Sequence, residues 1–160
     1  MEPPASARSR SRSTVLRTVT HEFCQALISP PPPKQLLAKY FSSAPQITEH
    51  GPEWSRERLP FLAKTFTGTD GCEEYFQIMT EVLEMSLSHD AFPKADEGFI
   101  VDAGAGMVSV VGKGRFKSRK TGKGWDEQFI YRFSRFDEDG KIGHWEIWAD
   151  PLSAWDAVGE

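Results

Sequence analysis

Residues 98–149 read GFIVDAGAGMVSVVGKGRFKSRKTGKGWDEQFIYRFSRFDEDGKIGHWEIWA, and most of the predicted architecture follows from this stretch. Runs of β-branched and aromatic residues alternate there with segments rich in Gly, Asp and Lys. Such a pattern predicts antiparallel strands joined by hairpins. The predicted strands are residues 99–102, 107–117, 125–136 and 141–149. The last hairpin, residues 128–149, is expected to close an apolar pocket.

The first half of the chain has the pattern of helices. Apolar residues from Val15 to Leu27 recur every three or four positions, which predicts a first helix over residues 14–28. Four prolines at residues 30–33 end that helix and start a second, short one. A short strand is predicted at residues 46–50, and a third helix follows it. Helices that precede an antiparallel meander indicate an α+β domain.

The length and charge of the chain limit its function. A chain of 160 residues, 39% of them hydrophobic, is expected to form a single domain over residues 14–160. Residues 1–13 are rich in Arg, Ser and Pro and are predicted to be a disordered basic tail, with an organelle transit peptide as the alternative. The net charge is −4, of which residues 1–17 contribute +3, so the remainder carries −7. Such an acidic body is not suited to binding nucleic-acid phosphates.

The chain also lacks the sequence patterns of a membrane or metal-binding protein. No apolar run approaches the roughly 18 residues of a membrane span, and no secretory signal follows the basic start. Cys24 and Cys72 lie in apolar helical patterns without the spacing of metal ligands, so they are predicted to be buried free thiols. The sequence therefore predicts a cytoplasmic protein with no membrane, nucleic-acid or metal partner.

Several short phrases, which together cover residues 15–157, resemble a known superfamily. They are Tyr40-Phe41, Glu49-His50-Gly51-Pro52 and residues 61–68, 120–123, 136–142 and 145–150. In this order they resemble the nuclear-transport-factor-2-like superfamily. The resemblance is closest to its SnoaL-like group, the relatives of polyketide cyclases and ketosteroid isomerases that include small fungal secondary-metabolite isomerases.

This resemblance implies both a shape and a kind of chemistry. The shape is a cone, in which a curved antiparallel sheet wraps around the N-terminal helices and encloses a deep apolar cavity. The outer sheet face often forms a homodimer. The chemistry is acid/base catalysis by a few polar residues, without metal or cofactor. An apolar pocket suits such chemistry because it shifts pKa values and strengthens hydrogen bonds to a developing oxyanion.

His50 is the first candidate catalytic residue. It stands at the end of the first predicted strand, near the position where ketosteroid isomerases place a general-base aspartate before a proline. A histidine there can move a proton in both directions near neutral pH. The alternative is a histidine that only bonds the backbone of the turn. Glu49 points to the other face of the strand and replaces His50 as the candidate if the assumed strand orientation is reversed.

The last hairpin provides two further catalytic candidates. If the turn has two residues or four residues, odd-numbered residues of one strand lie opposite even-numbered residues of the other. One face then combines Arg132 with Trp145 and Ile147, and family alignment favours it as the lining, with Arg132 holding an oxyanion. The other face carries His144 and Glu146. If that second face is inside, Glu146 becomes the leading acid or base; otherwise the face is expected to form a dimer surface.

Aromatic and apolar residues are predicted to shape the substrate. They lie on segments that line or cover the pocket in the resembled fold, although each is also compatible with plain core packing. The predicted substrate-binding residues are Trp54, Phe66, Tyr75, Phe76, Trp145 and Ile147.

Three functions are compatible with these residues. The leading one is a cofactor-independent isomerase or cyclase that uses His50, Glu146 and Arg132 on a hydrophobic carbonyl-bearing secondary metabolite. The second is a non-catalytic ligand-binding or dimerisation module with the same fold. The third is a dehydratase or hydrolase that uses the same pocket. Two or three titratable side chains that converge in the cavity would favour an enzyme over a binding module.

Overall fold

The computed structural model describes the backbone of residues 5–160 and the side chains of residues 11–160. Helices and strands follow one another in the order expected of an α+β domain. The helices are α1 (Ala5–Ile28), α2 (Pro33–Tyr40), α3 (Gly68–Val82), α4 (Ala95–Gly98) and α5 (Pro151–Val158), with a short 3₁₀ helix at Glu53–Glu57. The strands are β1 (Phe41–Glu49), β2 (Lys64–Thr67), β3 (Leu83–Ser86), β4 (Ile100–Asp102), β5 (Met107–Ser118), β6 (Gly124–Ser134) and β7 (Ile142–Trp148).

The seven strands form one curved, unclosed sheet that packs against α1, α2 and α3. Its order is β2-β1-β7-β6-β5-β3, and β4 adds to β5. The expected curved sheet around the N-terminal helices is therefore present. The sheet is mixed, however, and not antiparallel throughout, because β1 and β7 run parallel. A long stretch of chain separates these two strands, so no tight hairpin forces them to be antiparallel.

Helix α1 begins earlier than the sequence predicts. It starts at Ala5, so residues 5–13, which were expected to be a disordered tail, are helical in the structure, while residues 1–4 lie outside the described part. Arg12 anchors this end of the helix, because its Nη2 donates to the carbonyl oxygen of Asp137 at 2.6 Å. That carbonyl lies in the loop between β6 and β7. The start of α1 is therefore tied to the hairpin that carries much of the cavity wall.

The pairing of β6 with β7 differs from the predicted register. Tyr131 lies opposite Ile147, and Arg132 lies opposite Glu146, so odd positions face odd positions. The reason is the length of the turn: Asp137 N donates to Lys141 O at 3.0 Å, which leaves three connecting residues instead of two or four. Gly140, at φ 83°, takes the left-handed position that such a three-residue turn requires. The prediction that Arg132 shares a face with Trp145 and Ile147 is therefore wrong.

The observed register gives β6 and β7 one apolar and one polar face. Tyr131, Phe133, Trp145 and Ile147 are all at most 5% exposed and face the helices. On that side the ring of Phe23 from α1 packs edge-on against Trp145, with 5.0 Å between ring centroids. Arg132, His144 and Glu146 lie on the outer face. The hydrophobic effect accounts for this orientation, because the alternation places the large aromatic rings in the core and the polar side chains on the outer face, where Glu146 is itself only 6% exposed.

Candidate active site

A cavity of about 400 Å³ lies between the inner face of the sheet and helices α2, α3 and α5. Its size falls within the range of small-molecule sites. Aromatic side chains from four separate elements and the segment before β2 form most of its wall. They are Phe61, Tyr75, Phe76, Phe116, Trp125, Phe129, Tyr131 and Trp145.

Glu49 is the central polar residue of this cavity. It is the last residue of β1 and pairs with Ile147, so the register of the parallel strands places its side chain on the inner face. Tyr75 on α3 donates its hydroxyl to Glu49 Oε1 at 2.6 Å. Burial raises the pKa of Glu49 to about 7, although the hydrogen bond from Tyr75 acts against the rise and the nearby charge of Glu127 adds to it. A carboxyl group with this pKa can both accept and release a proton near neutral pH.

A second carboxylate, Glu127 on β6, lines the same cavity. Its Oε1 accepts a hydrogen bond from Trp125 Nε1 at 3.2 Å, and its Oε2 accepts one from the backbone N–H of Asp150 at 2.7 Å. Burial raises the pKa of Glu127, and the two hydrogen bonds oppose this rise. Asp150 caps α5 through its Oδ1, which accepts a hydrogen bond from the Ser153 N–H. Glu127 therefore connects the cavity wall to the start of the helix that covers it.

Four of the six predicted substrate-binding residues line the cavity: Tyr75, Phe76, Trp145 and Ile147. Trp54 does not, because its side chain is 58% exposed and packs edge-on against Trp155. Phe66 is also outside the lining. It is a buried core residue whose ring centroid lies 5.5 Å from that of Tyr75, so it supports the cavity wall from behind.

The three predicted catalytic residues meet in space, but they meet on the outer face of the sheet. Glu146 Oε1 lies 3.1 Å from His50 Nε2, and Glu146 Oε2 lies 2.9 Å from Arg132 Nε. Burial acts to raise the pKa of Glu146, but the hydrogen bonds from Arg132 and His50 outweigh it and lower the pKa. His50 also stacks on Trp148, with 4.3 Å between ring centroids. We call these four residues the outer cluster.

The outer cluster is separate from the polar groups inside the cavity. Arg132 is 41% exposed and pairs with Glu146, so it does not stand alone in an apolar wall as the sequence suggests. His50 borders the cavity, yet its Nε2 is bonded to Glu146 outside. The register of the last hairpin explains both placements, because it turns the even positions of β6 and β7 outward.

Sequence reasoning gave Glu49 only as a substitute for His50 and did not single out Glu127. A signal for both was available. Glu127 is two residues before Phe129 and four before Tyr131, so it shares their face of the strand. Once the aromatic face of β6 is taken as the inner one, Glu127 is inside. Glu49 follows from the pairing of β1 with β7, which the sequence does not show.

The structure also bears on metal binding, on membrane spans and on the two cysteines. Among the described residues, no group of three His, Cys, Asp or Glu side chains is placed to hold a metal ion. Within the same part of the chain, no helix has the length and apolar character needed to cross a membrane. Cys24 and Cys72 are buried free thiols, as predicted.

Comparison with solved structures supports the fold, whereas no known family's sequence profile and no curated protein matches the chain. A Burkholderia pseudomallei nuclear-transport-factor-2-like protein of unknown function superimposes with a TM-score of 0.72 at 14% identity, over 91% of this chain and 98% of the other. A candidate polyketide cyclase from Xanthomonas campestris superimposes with a TM-score of 0.68 at 10% identity, over 92% of this chain and 99% of the other. A phenazine biosynthesis-related protein from Pseudomonas aeruginosa superimposes with a TM-score of 0.65 at 13% identity, over 92% of this chain and 90% of the other.

These likenesses cover almost the whole chain at low sequence identity, so they establish a shared fold. The chain has the nuclear-transport-factor-2-like α+β fold that SnoaL-like polyketide cyclases also have. The resemblance inferred from the sequence is confirmed at this level. Proteins of one fold perform many reactions, so the reaction has to be argued from the cavity itself.

Proposed function

We propose that the protein is a cofactor-independent isomerase or cyclase that moves protons on a hydrophobic, carbonyl-bearing secondary metabolite. The observation that carries this proposal is Glu49, a carboxyl group with a pKa of about 7 in an apolar cavity of about 400 Å³. Titratable groups with perturbed pKa values in a cavity are characteristic of acid/base catalysis. The named functions of proteins with this fold, cyclase and phenazine biosynthesis-related protein, belong to the same area of chemistry.

In the proposed reaction Glu49 acts first as a base and then as an acid. Its carboxylate takes a proton from the carbon that lies between the substrate carbonyl and a C=C double bond. The electron pair of that C–H bond forms a new C=C bond, and the carbonyl π electrons move to the oxygen, which gives a dienolate. The protonated Glu49 then returns the proton to the far carbon of the original C=C bond, so the carbonyl re-forms in conjugation with the shifted double bond. Tyr75 holds Oε1 at 2.6 Å, so we assign the proton transfer to Oε2.

The other lining residues bind the substrate in this proposal. Phe76, Trp145 and Ile147 provide apolar surface, and the low dielectric that they create is what keeps the pKa of Glu49 high. The convergence of Glu49, Tyr75 and Glu127 on one cavity favours an enzyme over a pure binding module. A dehydratase would use the same groups. We assign no proton transfer to the outer cluster.

Hydrogen exchange on a model ketone tests the proposal. The protein is incubated with β-tetralone in D₂O, and NMR follows the loss of the hydrogens next to the carbonyl. We expect exchange that is faster than in buffer, saturates with ketone concentration, and is inhibited by β-naphthol, a planar phenol of the same size. Exchange at the buffer rate for β-tetralone and for a set of larger ketones would contradict the proposal.

We also propose that the protein pairs with a second copy of itself through the outer sheet face. Val111, Ile130 and Trp148 are adjacent on β5, β6 and β7 and are 51%, 46% and 38% exposed, so they form an apolar row across three strands. The cations next to this row, Lys113 and Arg132, already pair with acids of the same chain. Two such faces can therefore meet without unpaired like charges.

Ile130→Asp is expected to convert the dimer to a monomer at micromolar concentration, because it buries a charge at the centre of the paired faces. Sedimentation velocity measures this change. Leu152→Asp is the matched control: Leu152 is 68% exposed on α5 and should leave the oligomeric state unchanged. A wild-type protein that stays monomeric, or an Ile130→Asp variant that stays dimeric, would show that this face is not the interface.

A further inference from the structure

The charge of the cavity wall indicates what kind of ligand it accepts. Four acidic residues, Glu49, Glu73, Glu127 and Asp150, line it, whereas none of its described lining residues is Lys or Arg. The basic residue on the wall is His50, and its Nε2 is bonded to Glu146 on the outer face. The chain as a whole has 19 Lys and Arg against 23 Asp and Glu, so the overall composition does not explain such a one-sided wall.

Two of these carboxylates interact with each other. Both Glu49 and Glu127 line the cavity, and the charge of Glu127 disfavours ionisation of Glu49. Each oxygen of Glu127 accepts one hydrogen bond, from Trp125 or from Asp150. A carboxylate has about four acceptor sites, so Glu127 keeps the capacity to accept another donor from a ligand.

The aromatic part of the wall adds a second, independent attraction for a cation. Tyr75, Phe76, Tyr131 and Trp145 form a connected group of rings, with centroids of neighbouring rings 5.1–6.0 Å apart. The face of an aromatic ring carries partial negative charge and attracts organic cations, most strongly where water is excluded. The carboxylates repel a carboxylate or phosphate ligand.

We propose that the natural ligand of this cavity carries a protonated amine on an apolar ring framework, with the ammonium group beside Glu127 and the ring system against the aromatic wall. The ammonium donates hydrogen bonds to the Glu127 carboxylate and reduces its repulsion with Glu49. This inference names the substrate class of the proposed isomerase or cyclase and rests on that function for the use of the cavity. The reacting carbonyl lies on the same framework, within reach of Glu49.

Three probes of the same size and different charge test the inference. They are tetralin, which is neutral; β-aminotetralin, which carries an ammonium group; and tetralin carboxylate, which is an anion. Dissociation constants are measured by NMR titration of the indole N–H signals of the five tryptophans. We expect the amine to bind about tenfold more tightly than tetralin, and the carboxylate more weakly than tetralin.

Variants then locate the amine. Glu127→Gln is expected to weaken amine binding about tenfold and to leave tetralin binding unchanged, which also checks that the cavity is intact. Glu127 also holds the start of α5, so its replacement can disturb the fold as well as the binding site. Glu49→Gln therefore serves as a second variant and is expected to weaken amine binding several-fold. Glu84→Gln is the matched control, since Glu84 is exposed and pairs with Lys117 away from the cavity.

Each outcome has a defined meaning. An amine that binds no more tightly than tetralin overturns the inference, and so does amine binding that neither Glu127→Gln nor Glu49→Gln weakens. If the amine binds as expected but β-tetralone shows no catalysed exchange, the assigned ligand class stands and the proposed catalysis is wrong. If exchange is catalysed and the amine has no advantage, the proposed function stands and the ligand class is wrong.

Discussion

Glu49→Gln is expected to slow the exchange of β-tetralone hydrogens by about 10²–10⁴-fold at pH 8, the usual contribution of a general base. A glutamine has the same size and can still accept the hydrogen bond from Tyr75, but it cannot take a proton. The cavity and its binding of the neutral ketone should therefore change little while the chemical step is lost. The assay is the NMR exchange measurement in D₂O, with initial rates taken at several ketone concentrations.

The pH dependence of the wild-type rate provides a second test of the same residue. Glu49 has to be ionised to accept a proton, and its pKa is raised to about 7. The rate is therefore expected to rise about tenfold per pH unit below pH 7 and to level off above it. The titratable groups that face Glu49 are Tyr75, Glu127 and Tyr131. The pKa values of both tyrosines are raised well above their usual range, so these groups do not ionise in this window.

Glu84→Gln is the control for this variant, because it removes an exposed carboxylate of the same kind and should leave the exchange rate within about twofold of wild type. A Glu49→Gln protein that is folded and exchanges β-tetralone as fast as wild type would rule out Glu49 as the base. A wild-type rate that does not change between about pH 5 and pH 8 would contradict the raised pKa as the source of the activity.

The sequence predicts the elements of this fold better than their contacts. Proline and glycine positions and the periodicity of apolar residues predicted most of α1, α2 and α3 and the long strands β5, β6 and β7. These signals are local, and local signals are what a single sequence contains. The parallel pairing of β1 with β7 depends on residues about one hundred positions apart, so periodicity could not predict it.

The apolar part of the candidate site was predicted, because it too depends on local sequence signals. Tyr75, Phe76, Trp145 and Ile147 were recognised because large apolar residues on helix or strand faces tend to be inside. The catalytic candidates were chosen by chemical type, and three of them lie in the outer cluster together with Trp148. Polar groups are most easily accommodated near the surface, where water and ion pairs satisfy them. Glu49 and Glu127 are the exceptions that the cavity holds inside.

The register of the β6–β7 hairpin depends on one close contact that sequence reasoning did not consider. Arg135 takes a left-handed conformation, with φ 54°, just after β6 ends. Gly143 on β7 lies directly against its backbone, so that a Cβ atom at residue 143 would overlap the carbonyl oxygen of Arg135. The hairpin can keep this geometry only because residue 143 has no side chain. Its register in turn places Trp145 and Ile147 in the cavity wall.

Gly143→Ala is therefore expected to lower the free energy of unfolding by about 3 kcal/mol, because relief of the overlap requires the backbone of β7 or of Arg135 to move. Urea denaturation measures the change as a lower midpoint with a similar slope. Gly71→Ala is the matched control, since a Cβ there meets its nearest neighbour, the carbonyl carbon of Phe66, at 3.7 Å, an ordinary contact. That contact joins α3 to Phe66 on β2 and needs no movement, so Gly71→Ala should change stability by less than about 1 kcal/mol.

The same substitution also links the turn to the cavity. If β7 shifts to accommodate the new methyl group, Trp145 and Ile147 move with it, and tetralin binding should weaken together with stability. A Gly143→Ala protein with the wild-type midpoint would mean that the contact between Gly143 and Arg135 does not hold the register. A variant that loses stability but keeps wild-type tetralin affinity would mean that the turn stabilises the fold without setting the position of the cavity wall.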